Sequence, residues 1–254
     1  MTNGAVIGSA SAETRGDHRG QSSVVGVALL LGATLVALGV LTASVGTIVD
    51  DHAARADADR VASDLDGAIQ PIETTGYRTA RVRFTEGRLG TVQRDLRINE
   101  SGSTVAEVSI GALVYERGDR RVRSVAGAVV RGRDENAWTV DPPPIVGSES
   151  TGVLVVSATK LNASGASVGG GRVTATLATD VSHERTSLGS GEFSVAIETA
   201  APAALESSLR ERGASTVETK DIDGDGVPSV VATFPGTRTG YLVVHDMRLE
   251  VTDG

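Results

Sequence analysis

Hydrophobic and polar positions divide the chain into three regimes. From Gln21 to Val49 there is no charged residue, and apolar side chains run almost without interruption from Val24 to Val49. At ~1.5 Å of rise per residue that apolar run makes about 39 Å of helix, more than the ~30 Å of a bilayer's hydrocarbon. From Asp50 to Ile69 the pattern becomes amphipathic: Val61, Leu65, Ala68, Ile69 and Ile72 keep the three-and-four spacing of one helix face, while Asp51 with Arg55 and Arg60 with Asp64 stand one turn apart. The two stretches together predict a continuous rod from Ser22 to Gln70, ~73 Å long, ended by Pro71.

Beyond it the pattern alternates, as strands do. Arg78 to Phe84, Thr104 to Glu116, Arg121 to Arg131, Gly152 to Leu161, Arg172 to Thr179, Glu192 to Thr199, Val227 to Phe234 and Gly240 to Val251 are rich in Val, Thr and Ile, with Gly, Asp, Asn or Pro in most gaps. A helix interrupts them, with Pro202 in its first turn, Leu205 and Leu209 four apart, and Gly213 as its stop. Pro142-Pro143-Pro144 reads as a stiff connection between two sheet portions. The predicted fold class is α+β: a long transmembrane-to-amphipathic N-terminal helix, then a mainly antiparallel, sandwich-like β head with one short helix. The corresponding division is 1–20 leader, 21–49 transmembrane helix, 50–71 amphipathic continuation and 72–254 head.

Glycines change the picture of the apolar helix. Gly32, Gly39 and Gly46 recur every seven residues, with Gly26 six before the first, so they form one nearly straight stripe. Each costs about 1 kcal/mol against alanine in a helix interior, a cost that a lone lipid anchor has no reason to carry. Ala28 with Gly32, Ala33 with Ala37, and Gly39 with Ala43 add small-xxx-small pairs. Such surfaces let helix backbones approach closely in lipid. Frequent glycine is also ordinary in membrane helices, and packing between copies is the reading favoured here.

Basic Arg15 and Arg19 precede the helix and Asp50-Asp51 follow it, which predicts a cytoplasmic N-terminus and an extracellular head. The junction Arg19-Gly20 followed by Gln21-Ser22-Ser23-Val24-Val25-Gly26-Val27 resembles the class III signal of archaeal type IV pilins and archaellins. That resemblance implies cleavage between Gly20 and Gln21 by a prepilin peptidase, retention of the helix, and assembly with other pilin subunits by membrane machinery into a cell-surface filament serving adhesion, surface sensing or motility. Bacterial-type pilins usually carry glutamate where Val25 stands, so the resemblance is to the archaeal type. The head is similar to uncharacterised haloarchaeal pilin-like surface proteins, which implies no activity. The alternative is a single-pass surface protein that does not polymerise and binds a glycan, surface-layer protein or other ligand through its β head.

Composition adds less. Of 254 residues none is cysteine, which removes disulfides, thiol nucleophiles and cysteine metal sites. Aromatics are 3%, so the core must come from Val, Leu, Ile and Ala. Among 24 basic residues only Lys160 and Lys220 are lysine, and the net charge of −8 suits high salt and a halophilic source, although GC-rich coding favours arginine equally. Asp50 to Asp66 carries −4, Gly76 to Arg133 +6, and Asp134 to the end −9. Such asymmetry serves either contacts between subunits or pairing within one fold. Scarce aromatics and negative charge argue against nucleic acid.

Candidate chemistry is sparse. Asp221-Ile222-Asp223-Gly224-Asp225-Gly226 matches the first half of a calcium loop, with Asp221, Asp223 and Asp225 as ligands, but Ala232 stands where the bidentate carboxylate belongs. A hairpin turn describes it as well, so Ca2+ is a possible rather than a required cofactor. Asn99 and Asn162 open glycosylation sequons. His18, His52, His183 and His245 are far apart in sequence and in no triad or ligand spacing, and no serine elbow is present. The chain is expected not to be an enzyme.

Overall fold

The computed structural model describes residues 19–69, 74–133, 136–163 and 165–254, with side chains from residue 24 onward. The chain divides into two compact units, 1–51 and 52–254. Helix α1 (Arg19–Ile69) supplies the described part of the first unit and the opening turns of the second. The predicted leader before Arg19 and the predicted stop at Pro71 lie outside the described residues, as does Ile72 of the amphipathic face.

In the second unit the strands are β1 (Gly76–Val92), β2 (Asp95–Glu100), β3 (Ser103–Ser109), β4 (Ala112–Arg117), β5 (Arg120–Val125), β6 (Ala128–Arg133), β7 (Asn136–Asp141), β8 (Ile145–Ser148), β9 (Val153–Lys160), β10 (Ser167–Gly191) and β11 (Phe193–Glu198). Helix α2 (Pro202–Glu211) and strands β12 (Thr216–Lys220), β13 (Ser229–Thr233), β14 (Arg238–Asp246) and β15 (Glu250–Asp253) complete it. The fold is α+β. Among the described residues ten strands form one sheet in the order β7-β6-β5-β4-β1-β10-β14-β9-β8, with β15 on β10, and five form a second in the order β12-β13-β11-β2-β3. Neighbouring strands pair antiparallel except β14 and β9, which run parallel.

The large sheet must curl. Its ends, β7 and β8, are separated by only Pro142 to Pro144, a connection that spans at most about 15 Å, whereas nine flat strands would set those ends roughly 38 Å apart. Pairing is handed over along β10, whose Ser167 to Val181 pairs with β1 and whose Ser182 to Gly191 pairs with β14. The prolines therefore join opposite ends of one sheet.

Side chains alternate across this sheet into two cores. Ala128 and Val130 of β6, with Val156 of β9, face Leu96, Ile98, Val195 and Ile197 of the smaller sheet and Leu205 and Leu209 of α2. On the opposite face Val82 and Phe84 of β1, Leu113 and Tyr115 of β4, and Ala175 and Leu177 of β10 cover Ala58, Val61, Ala62 and Leu65 of α1. The amphipathic spacing in 54–69 thus exists because one helix face lies against a sheet.

Some predicted boundaries need correction. The predicted strands 104–116 and 121–131 are each two strands, turned at Gly111 and at Ala126-Gly127, where φ is positive throughout. The valine-rich runs on either side conceal those turns, while β2, β7, β8 and β12 are short and carry too few alternating positions to stand out. Arg123 of β5 is buried, because both faces of the large sheet are covered there. Helix α2 follows its signals closely: Pro202 stands at its start, Leu205 and Leu209 are buried, and Gly213 at φ +97° follows its end. A Cβ at Gly213 would come within 2.6 Å of the Gly147 carbonyl of β8, so the helix stop is also a packing requirement.

Candidate functional site

The part of α1 in the first unit is long and apolar enough to cross a membrane, and its residues from Val24 to Val49 are exposed throughout. Leu29, Leu30, Leu35 and Val36 are each 68–69% exposed, an arrangement that costs a great deal in water and nothing in hydrocarbon. Gly26, Gly32, Gly39 and Gly46 have no neighbouring atom within 4 Å of where a Cβ would stand. Their missing side chains therefore answer no contact within the described chain.

Polar side chains in this span are satisfied locally. Thr34 Oγ1 donates to the Leu31 carbonyl at 2.8 Å, Thr42 Oγ1 to Leu38 at 2.8 Å, Ser44 Oγ to Val40 at 2.8 Å and Thr47 Oγ1 to Ser44 at 2.9 Å. Hydroxyls bonded to the helix's own carbonyls enter hydrocarbon without an unmet donor. The signal was present in the sequence as Ser and Thr within an apolar helix, but their partners emerge only from the helix geometry. Arg19, Gly20 and Gln21, the predicted processing site, occupy the first turn of α1, with side chains outside the described residues.

Downstream, the acidic face of α1 meets the arginine-rich strands. Asp57, 2% exposed, receives the Thr85 amide at 3.1 Å, the Thr85 hydroxyl, and Arg117 Nη1 at 2.6 Å. Asp59 pairs with Arg131, and Asp64 Oδ2 accepts the Arg83 amide at 3.1 Å. Arg60 turns back to Asp57 at 3.5 Å, in place of the predicted pairing with Asp64. Much of the charge asymmetry along the sequence is thus satisfied inside the head. Tyr115 donates to the Glu86 carbonyl at 2.7 Å, and burial, followed by the nearby Asp57 carboxylate, raises its phenol above the usual tyrosine range.

The Asp221 to Gly226 loop is held as a turn. Asp221 accepts the amides of Gly224 at 2.8 Å and Gly226 at 3.1 Å, and Asp225 accepts that of Val227 at 2.8 Å. Asp223 points elsewhere and takes both terminal nitrogens of Arg97, at 2.8 and 2.7 Å. The carboxylates converging within 4.8 Å, among the described residues, are Asp223, Asp95 and Glu198 rather than Asp221, Asp223 and Asp225. Arg97 already lies among them, bound also to Asp95 at 3.2 Å and Glu107 at 2.9 Å. Burial raises the Glu198 carboxyl above the usual range, against the opposing Asp95 amide and Arg94.

The two sequons differ in setting. Asn99 is half-buried in β2, where Thr104 Oγ1 donates to its Oδ1 at 2.8 Å beside the hairpin turn at Ser101-Gly102. Asn162 is exposed at φ +49°, with Nδ2 reaching Asp246 at 3.3 Å. Ser164 of that sequon lies outside the described residues.

A family model matches residues 19–250, so the apolar helix and the head recur together as one unit. The chain belongs to DUF7289, a family of unknown function. No curated protein and no solved structure matches it. The DUF7289 match begins at Arg19, the first residue of α1.

Proposed function

We propose that this chain is a pilin-like structural subunit of a cell-surface filament. In this reading a prepilin peptidase removes residues 1–20, the Gln21–Val49 helix holds the subunit in the membrane with its head outside, and assembly machinery packs that helix against copies or related pilins. No catalysis and no cofactor is required, since the helix supplies adhesion between subunits and the head supplies the exposed surface. Ca2+ in the Asp221–Asp225 loop and glycans on Asn99 and Asn162 would be accessory to it.

The observation that carries the reading is the exposed apolar run from Val24 to Val49, with four glycines whose Cβ positions are open. The Arg19-Gly20 junction immediately before it supports the cleavage step. Mass spectrometry of the protein recovered from its native host tests it directly. A mature chain beginning at Gln21 and recovered in sheared surface filaments is the expected result. An intact Met1 leader on a protein confined to the membrane fraction would instead favour a single-pass surface protein.

A further inference from the structure

Strands β10 and β14 pair with His183 directly opposite His245. The two Nδ1 atoms are 2.8 Å apart, the ring centroids 4.8 Å apart and the ring planes 81° to one another. Sixty-two residues separate the two histidines in sequence, so nothing in their spacing announced the pair. His245 is 6% exposed, whereas His183 is exposed, and the pair therefore opens to solvent on one side.

Their backbone positions are well held. Val181 and Met247, just beyond the Ser182–Asp246 pair, anchor the near end of the pairing in the core, and Arg248 reaches across to Asp180 at 3.0 Å and Ser182 at 3.3 Å. On its other side His245 is in register with Thr159 of β9. Two imidazoles on facing positions of a paired ladder form a candidate bidentate donor set. Nitrogens bound to one metal at about 2.0–2.1 Å lie roughly 2.9 Å apart when they subtend a right angle, and about 3.3 Å apart in a tetrahedron. The observed 2.8 Å is the spacing of a hydrogen bond between the rings and lies close to the right-angle value, so modest ring rotations turn both lone pairs onto one ion, and square-planar or tetragonal nitrogen coordination is the preference of Cu(II) and Ni(II).

We propose that His183 and His245 chelate one divalent transition-metal ion, Cu(II) foremost, through their Nδ1 atoms, with water on the exposed side. In the metal-free pair one Nδ1–H donates to the other Nδ1. With the exposed His183 as that donor, its proton moves through solvent to its own Nε2 on binding, so both Nδ1 lone pairs face the ion. The metal then staples β10 to β14 and binds only the folded head, which raises its stability.

The test uses the full chain in detergent micelles with Cu(II) alone as probe. Expected are one Cu(II) per chain, nitrogen splitting from two imidazoles in its paramagnetic resonance spectrum, and a metal-dependent rise in unfolding temperature. All three should be retained in His52→Ala, which removes the histidine beside Asp50 and Asp51, and lost in His183→Ala. His183→Asn is the second variant, and the metal-free unfolding temperature of each shows that it folds. A two-nitrogen spectrum persisting in both folded His183 variants, or missing from the unaltered chain, would overturn the assignment.

Discussion

Arg117 Nη1 donates to Asp57 Oδ2 at 2.6 Å, tying α1 to β4 across sixty residues of sequence. The carboxylate side chain is 3% exposed and the guanidinium 12%, so the pair is nearly out of water. Two further bonds come to the same oxygen from the amide and hydroxyl of Thr85, and Arg60 stands 3.5 Å from the other oxygen. Removing either charge leaves the other with only a solvent-exposed counter-ion, Glu86 at 3.1 Å from Arg117 or Arg60 at 3.5 Å from Asp57, and so under-compensated in a buried place.

Asp57→Ala should therefore destabilise the head by about 3–5 kcal/mol. The double replacement Asp57→Leu with Arg117→Met should recover most of that loss, because no charge is then left buried without a partner. Denaturant unfolding of the full chain in micelles, followed by circular dichroism, measures both. Equal loss in the single and double variants would show that the bonds to Thr85, rather than the ion pair, dominate.

Leu65 is completely buried between α1 and the large sheet. Truncation to alanine leaves a cavity, and a loss of about 2–5 kcal/mol in unfolding free energy is expected. Ser63, exposed on the same helix, is the control. Its replacement by alanine should change stability by about 0.5 kcal/mol or less.

Glu198 has its carboxyl raised in the folded state, chiefly by burial. The folded protein thus holds this proton more tightly than the unfolded chain does. Its stabilising contribution is fully present below the unfolded carboxyl range and lost as pH rises through the folded value. Comparing wild type with Glu198→Gln at pH 7 and near pH 4 isolates it: the difference should move in favour of wild type on acidification. A difference that moves the other way would mean the Arg94 pair, 3.4 Å away, outweighs burial.

Replacing Gly32, Gly39 and Gly46 with leucine should abolish surface filaments while leaving membrane insertion intact. No described atom lies within 4 Å of the three Cβ positions, and leucine is the better helix former by several tenths of a kcal/mol per site. The change therefore cannot act by weakening the helix itself. Electron microscopy of cells, with membrane fractionation alongside, reads the two outcomes separately. Filaments unaffected by all three leucines would exclude the glycine stripe as their packing surface.

Local pattern by itself determined the apolar span, the amphipathic turns with Val61 and Leu65, the helix that opens at Pro202 and stops before Gly213, and a strand-rich head, because each is encoded by spacing within a few residues. It also presented the Asp221 loop with two readings, and the bonds from Gly224, Gly226 and Val227 show Asp221 and Asp225 holding a turn. Only tertiary structure decided that Asp223 would meet Arg97 from 126 residues away, that Asp57 would meet Arg117, and that His183 would face His245. It likewise decided that one large sheet curls until Pro142–Pro144 can join its ends. Periodicity dictates which face of an element turns from water, but partners are chosen by strand order and register, and those arise when segments distant in sequence bury their apolar faces together.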